Sequence, residues 1–149
     1  MSMSKNDFKI FLSGGMTGLP MEEQIEWRNE FKRRFSDRVL VISPPDFYSP
    51  NTNYYKSEHE AKEWDLHHVR TADLIVVNFN VPNSIGTAME LMVANECKIP
   101  VIGLNEKGYD LHPWLIDCCD RICDTFDELV HHVKKYFLMM EDEIEGIQL

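Results

Sequence analysis

One nine-residue stretch of this 149-residue chain gathers groups that do chemistry: Pro82-Asn83-Ser84-Ile85-Gly86-Thr87-Ala88-Met89-Glu90. The apolar run Leu74-Ile75-Val76-Val77-Asn78-Phe79 precedes it, and a second run, Val101-Ile102-Gly103-Leu104, follows. That order reads as strand, small-residue turn, helix and strand. Ser84, Gly86 and Thr87 fall at a helix start, where N–H groups lack intrahelical acceptors and attract anions. Glu90 lies one turn further in, among Met89, Leu91, Met92, Val93 and Ala94. A carboxylate among apolar neighbours is costly unless it is paired or opens into a cleft. The stretch thus sets a candidate nucleophile beside a candidate phosphate cradle. The competing account is an ordinary glutamate on a helix surface.

A second glycine-rich turn, Gly14-Gly15-Met16-Thr17-Gly18, follows the run Phe8-Lys9-Ile10-Phe11-Leu12-Ser13. Glycine lets backbone approach a ligand closely. The turn is neither a Walker loop nor a full Gly-x-Gly-x-x-Gly, so a tight connection without a ligand fits it equally. Cleaving a bond at a sugar needs two carboxyl groups, one at the anomeric carbon and one serving the leaving group. Asp65 and Asp73 are both candidates for the second; a cap or turn role fits each as well.

The elements that must carry these residues alternate. Strands are expected over residues 8–13, 39–42, 74–79, 100–104 and, weakly, 121–123. Helices are expected over 21–35, 57–71, 85–97 and 125–139, the first with an apolar stripe of Met21/Ile25 and Trp27/Phe31/Phe35. Such alternation implies a mainly parallel sheet covered on both faces, in one domain of 149 residues with flexible ends at 1–7 and 140–149. Residues 44–57 form the one long irregular stretch, and Phe47, Tyr48, Tyr54 and Tyr55 in it are candidates for stacking on a base or for pinning the loop to the body.

Hydrophobic residues make up 44% of the chain, enough for a proper core. The formal charge of −10 argues against duplex nucleic acid as a partner. The basic cluster Lys32-Arg33-Arg34 with Arg38 suits the end of a helix dipole. No apolar run reaches the roughly 20 residues that span a bilayer, and the first residues lack a signal-peptide pattern, so no membrane and a cytoplasmic setting are expected. Cys97, Cys118, Cys119 and Cys123 lack zinc spacing and read as buried free thiols. The pairs His67-His68 and His131-His132 point about 100° apart on a helix, so no metal site is expected.

Three segments in this order and spacing resemble the nucleoside 2-deoxyribosyltransferase-like superfamily over about residues 8–137: Lys9-Ile10-Phe11-Leu12-Ser13-Gly14; Asp65-Leu66 with Thr71-Ala72-Asp73-Leu74; and Ser84-Ile85-Gly86-Thr87-Ala88-Met89-Glu90-Leu91. The resemblance implies a three-layer, doubly wound α/β fold of the flavodoxin or Rossmann kind with a five-stranded parallel sheet. It also implies a homodimer whose active sites borrow residues across the interface, and cleavage of an N-glycosidic bond through a covalent glycosyl-enzyme with no metal or organic cofactor. It gives Glu90 the part of the nucleophile and Asp65 that of the acid assisting base departure, which leaves Asp73 structural. Substrate binding falls to Phe11, Gly14, Gly15, Met16, Thr17, Gly18, Ser84, Gly86 and Thr87.

Ser84 stands where transferases of free nucleosides carry an aspartate, so the chain looks closer to the branch that hydrolyses 2′-deoxynucleoside 5′-monophosphates. A hydroxyl and helix amides attract a phosphate that an aspartate would repel. Base exchange between nucleosides is the alternative reaction. The wording Gly-Gly-Met-Thr-Gly-Leu-Pro also resembles an uncharacterised group of the superfamily, common in phages and bacteria. One departure stands out: Phe11 occupies the place of a tyrosine whose hydroxyl touches the catalytic glutamate. That loss implies reduced activity, support from another donor, or a non-catalytic nucleotide-binding module.

Overall fold

The computed structural model describes residues 7–16, 19–35, 39–47 and 56–139. Thr17, Gly18, Tyr48, Tyr54, Tyr55 and the acidic residues 141–145 lie outside them. Five parallel strands, β1 (Phe8–Gly14), β2 (Val39–Ile42), β3 (Leu74–Asn78), β4 (Val101–Leu104) and β5 (Arg121–Cys123), form one sheet in the order β2-β1-β3-β4-β5. The helices are α1 (Met21–Arg33), α2 (Glu58–Arg70), α3 (Ile85–Glu96), α4 (Pro113–Asp117) and α5 (Phe126–His132). The expected doubly wound α/β fold with a five-stranded parallel sheet is the one observed.

Alternation along the strands divides the core into two layers. Phe11, Ile75, Val77 and Val101 pack with Val69 of α2 and Leu91 and Ala94 of α3. Ile10, Leu12, Leu74, Val76, Ile102 and Leu104 face the other way, onto Phe31 of α1 and Leu129 of α5. All five β3 residues are buried, as a central parallel strand requires. Each fully buried large apolar side chain contributes roughly 1.5–3 kcal/mol, so these two layers dominate stability.

Local signals set the helix starts. The side chains of Ser57, Ser84 and Thr125 accept from the amides of Glu60, Thr87 and Glu128 and cap α2, α3 and α5. The helix α4 is additional to the sequence reading; Pro113 at its first position with His112 as cap is the signal that marks it. The last helix departs from expectation too. After His132 the ladder widens, and the Leu138 amide reaches the Val133 carbonyl at 3.2 Å, a π-helical turn over Val133–Phe137. In α1, Met21 is exposed and Arg28, not part of the anticipated stripe, is buried.

In the order β2-β1-β3 the chain reverses its winding between β1 and β3. Open α/β sheets bind ligands outside the carboxyl ends of the strands at such a reversal. The turns that leave β1 and β3 there carry Gly14–Met16 and Val81–Ser84.

Candidate active site

A cleft of about 360 Å³ opens at that reversal. Gly14 and Met16 form its β1 side, Val81, Asn83 and Ser84 its β3 side, and Ile85, Gly86, Thr87 and Glu90 its α3 wall, with Asp65 entering from α2. Its volume lies within the range of small-molecule sites, roughly 300–1,000 Å³. The neighbours α2 and α3 lie on the same sheet face, which brings two carboxyl groups 25 positions apart in sequence into one cavity.

Glu90 is only 9% exposed. Its Oε1 accepts a hydrogen bond of 2.7 Å from Ser13 Oγ. Burial pushes its carboxyl up to about 8, and the charge of Asp65 adds to the rise; the Ser13 hydroxyl and the Arg28 guanidinium oppose it. Burial also raises Asp65, to about 6, against the pull of Arg28. Asp65 Oδ1 and Thr87 Oγ1 are buried without a hydrogen-bond partner, and both residues line the cleft. Paired acids with raised, separated titrations are a common mark of acid–base sites.

Ser84 caps α3 by accepting from the Thr87 amide at 3.3 Å. The Thr87 N–H is therefore engaged, and the amides of Ile85 and Gly86 are the ones left without an intrahelical acceptor. A Cβ built on Gly86 would meet nothing within 4 Å, so the helix start is open at that position.

Two anticipated substrate contacts sit elsewhere. Phe11 is wholly buried in the core and does not line the cleft. Strand alternation carries it and Ser13 to the same sheet face, and Ser13, nearer the strand's carboxyl end, is the residue that reaches Glu90. Gly15 does not line the cleft either, because Val81 fills the space over its Cα and its N–H donates to Asn80 Oδ1 at 3.1 Å. Asp73 is separated from the site: its Oδ2 accepts from the Lys9 amide at 2.8 Å, pinning the opposite end of β1.

Sequence reasoning missed Ser13 and Arg28. A polar residue two places beyond Phe11 in an otherwise apolar strand was the available signal for the first. For the second it was an arginine three residues before Phe31, hence on the inward face of α1.

Other reactive groups offer less. Lys32 pairs with Asp46, Arg33 with Glu30 and Arg34 with Asp127, so these three bases are paired locally, while Arg38 lies outside the described residues. All four cysteines are free thiols, with Cys97 exposed rather than buried as anticipated; burial pushes Cys119 up to about 12 and Cys123 to about 11, far from thiolate chemistry. Among the described residues no three His, Cys, Asp or Glu gather as metal ligands.

The fold and cleft together define an α/β protein with a two-carboxyl site at its sheet reversal. The chain belongs to the family described as domain of unknown function DUF4406, whose model matches residues 8–103. No curated protein matches its sequence.

Solved structures share its fold. A conserved protein from Enterococcus faecalis V583 superposes with a TM-score of 0.74 at 16% identity, over 90% of this chain and 99% of that one. A 2-deoxyribosyltransferase from Bacillus psychrosaccharolyticus gives 0.68 at 18% identity, over 82% and 90%. The CMP N-glycosidase of Clostridium botulinum gives 0.57 at 18% identity, over 87% and 99%. At these identities the correspondence is one of fold.

Proposed function

We propose that this protein cleaves the N-glycosidic bond of a 2′-deoxynucleoside 5′-monophosphate, with Glu90 as nucleophile and Asp65 as acid and base. The observation that carries the reading is the meeting of Glu90 and Asp65 in one cleft beside the start of α3. The activities named for two fold neighbours, 2-deoxyribosyl transfer and CMP N-glycoside cleavage, support glycosidic chemistry on this scaffold.

The 5′-phosphate rests on the Ile85 and Gly86 amides, with Gly14 and Met16 walling the other side of the cleft. The Glu90 carboxylate attacks C1′ while the C1′–N bond breaks, and its electron pair leaves with the base, which takes a proton from Asp65. Water then attacks C1′, gives a proton to Asp65 and frees Glu90 and a sugar 5-phosphate. Between about pH 6 and 8 the two acids hold one proton between them, the number this cycle needs. The attack requires that proton on Asp65 and Glu90 ionised. The Ser13 hydroxyl supports catalysis over mere binding, since it supplies Glu90 with the hydrogen bond that Phe11 cannot.

A second copy of the chain is proposed to pack on the outer face of α3. Ile85 is 77% and Trp114 78% exposed, Met89 and Met92 are exposed beside them, and an apolar groove of about 390 Å³ runs between α3 and α4. Two chains of charge −10 repel least where they meet through a surface such as this groove, whose described lining carries no Asp, Glu, Lys or Arg. Free thiols suit a reducing cytoplasm.

The direct test is incubation with deoxynucleoside 5′-monophosphates and chromatography for free base. The expected result is release by wild type that Glu90→Ala abolishes. Background release by both proteins would refute the reading.

A further inference from the structure

Ser13 reaches Glu90 from a stretch of β1 that has a strand on one side only. Toward β3 the pairing runs to the end, with Ser13 opposite Val77 and Gly14 opposite Asn78. Toward β2 the last pair is Phe11 with Ile42. The chain continues there as Ser43-Pro44-Pro45 and turns into a 3₁₀ helix over Pro44–Phe47. Proline has no N–H, so Pro44 and Pro45 have nothing to donate to β1.

Arg28 of α1 supplies those donors. Its Nη1 donates to Leu12 O at 2.7 Å and its Nη2 to Gly14 O at 3.4 Å. The two carbonyls flank Ser13 and, being two residues apart on a strand, face the same edge. Nε donates to Gln24 O at 2.9 Å and ties the guanidinium to its own helix. Arg28 is 1% exposed, and burying a guanidinium is costly. Leu12 packs in the layer that faces α1, whereas the Ser13 hydroxyl points to α3. The fork thus grips the main chain on both sides of the residue that holds Glu90.

The Arg28 charge also bears on the cleft. Burial pushes its titration down to about 10 and Glu90, Asp46 and Asp65 oppose the fall, so it stays protonated at neutral pH. It draws both Asp65 and Glu90 toward the ionised form, while Asp65 opposes ionisation of Glu90. Fork and charge are separable by substitution.

We infer that Arg28 is a positioning residue for Glu90: its fork stands in for the strand missing beside β1 and holds Ser13 where its hydroxyl reaches the carboxylate. The inference rests on the function proposed above. Arg28 does not line the cleft, and the effect of its fork passes through Ser13.

A double-mutant cycle on deoxynucleoside 5′-monophosphate hydrolysis tests it, with Arg28→Lys and Arg28→Gln each made alone and together with Ser13→Ala, and thermal denaturation to verify folding. Arg28→Lys keeps the charge but not the fork. Alone it should lower kcat about tenfold, leave KM within about twofold and move the limb that reports Glu90 ionisation to higher pH, as Ser13→Ala does. Added to Ser13→Ala it should cost less than about twofold more, because no hydroxyl remains to be held. Arg28→Gln loses the charge as well and serves where lysine does not fold; its loss should be about fivefold smaller in the Ser13→Ala background. Equal losses with and without Ser13, no loss in folded variants, or failure of both variants to fold would overturn the inference while leaving the proposed function standing. Wild type that releases no base would remove the proposed function, and this inference with it.

Discussion

Ser13 Oγ lies 2.7 Å from Oε1 of Glu90 and donates to it across 77 positions of sequence. The bond joins the end of β1 to the second turn of α3 and gives the buried Glu90 carboxyl a hydrogen-bond partner within the protein. Replacing Ser13 by Ala should raise the Glu90 titration further, since this hydroxyl favours the ionised form. A lost hydrogen bond to a charged group is worth about 1.5–3 kcal/mol, so kcat should fall about 10- to 100-fold. The limb of the pH–rate profile that reports Glu90 ionisation should move to higher pH. An unchanged profile would show that the hydroxyl does not govern the acid.

Thermal stability should fall as pH rises. Glu90 titrates near 8 in the folded protein, above its ordinary carboxylate value, so the folded state binds its proton more tightly than the unfolded chain does. That stabilisation is full below the ordinary carboxylate range and is lost as pH rises through about 8; Asp65 acts with the same sign up to about 6. Melting curves from pH 5 to 9 should show a loss on the order of a few kcal/mol in wild type and a much flatter response in Glu90→Gln. Parallel curves for the two proteins would contradict the assignment.

Two glycines should behave oppositely. A Cβ on Gly15 would sit 2.4 Å from Val81 Cβ, so Gly15→Ala should destabilise the fold by about 1–3 kcal/mol, with Val81→Ala added to relieve it. Gly86→Ala meets no protein atom and improves helix propensity by up to about 1 kcal/mol. Its melting temperature should hold or rise while nucleotide affinity drops, because Gly86 lines the cleft and a methyl group there narrows the helix start at which the phosphate is proposed to rest. Calorimetry beside thermal melts separates the two effects.

The outer face of α3 should govern self-association. Met92 lines the apolar groove but not the acidic cleft, so Met92→Lys tests the interface without entering the site. Sedimentation should give a dimer for wild type and a monomer for the variant. A monomeric wild type at micromolar concentration would end the dimer proposal.

The strands, helices α1, α2 and α3 and the parallel sheet were legible because their signals are local. A fully apolar strand such as Leu74–Asn78, a serine cap such as Ser57 and a carboxylate among apolar neighbours such as Glu90 each reveal themselves within a few residues. The short α4 was missed because one turn carries too few positions to show a period, and the widened ladder after His132 leaves no local mark.

What the sequence by itself determined is the set of elements and the acids worth watching. The family resemblance already favoured Asp65 over Asp73, and the folded chain puts it in a cleft with Glu90; only the folded chain decided that Ser13 and not Phe11 reaches Glu90, and that Arg28 is buried beneath the end of β1. Those outcomes depend on strand register and helix packing, which bring together residues far apart in the chain. Each is fixed by the sum of many weak contacts across the two core layers rather than by any short pattern.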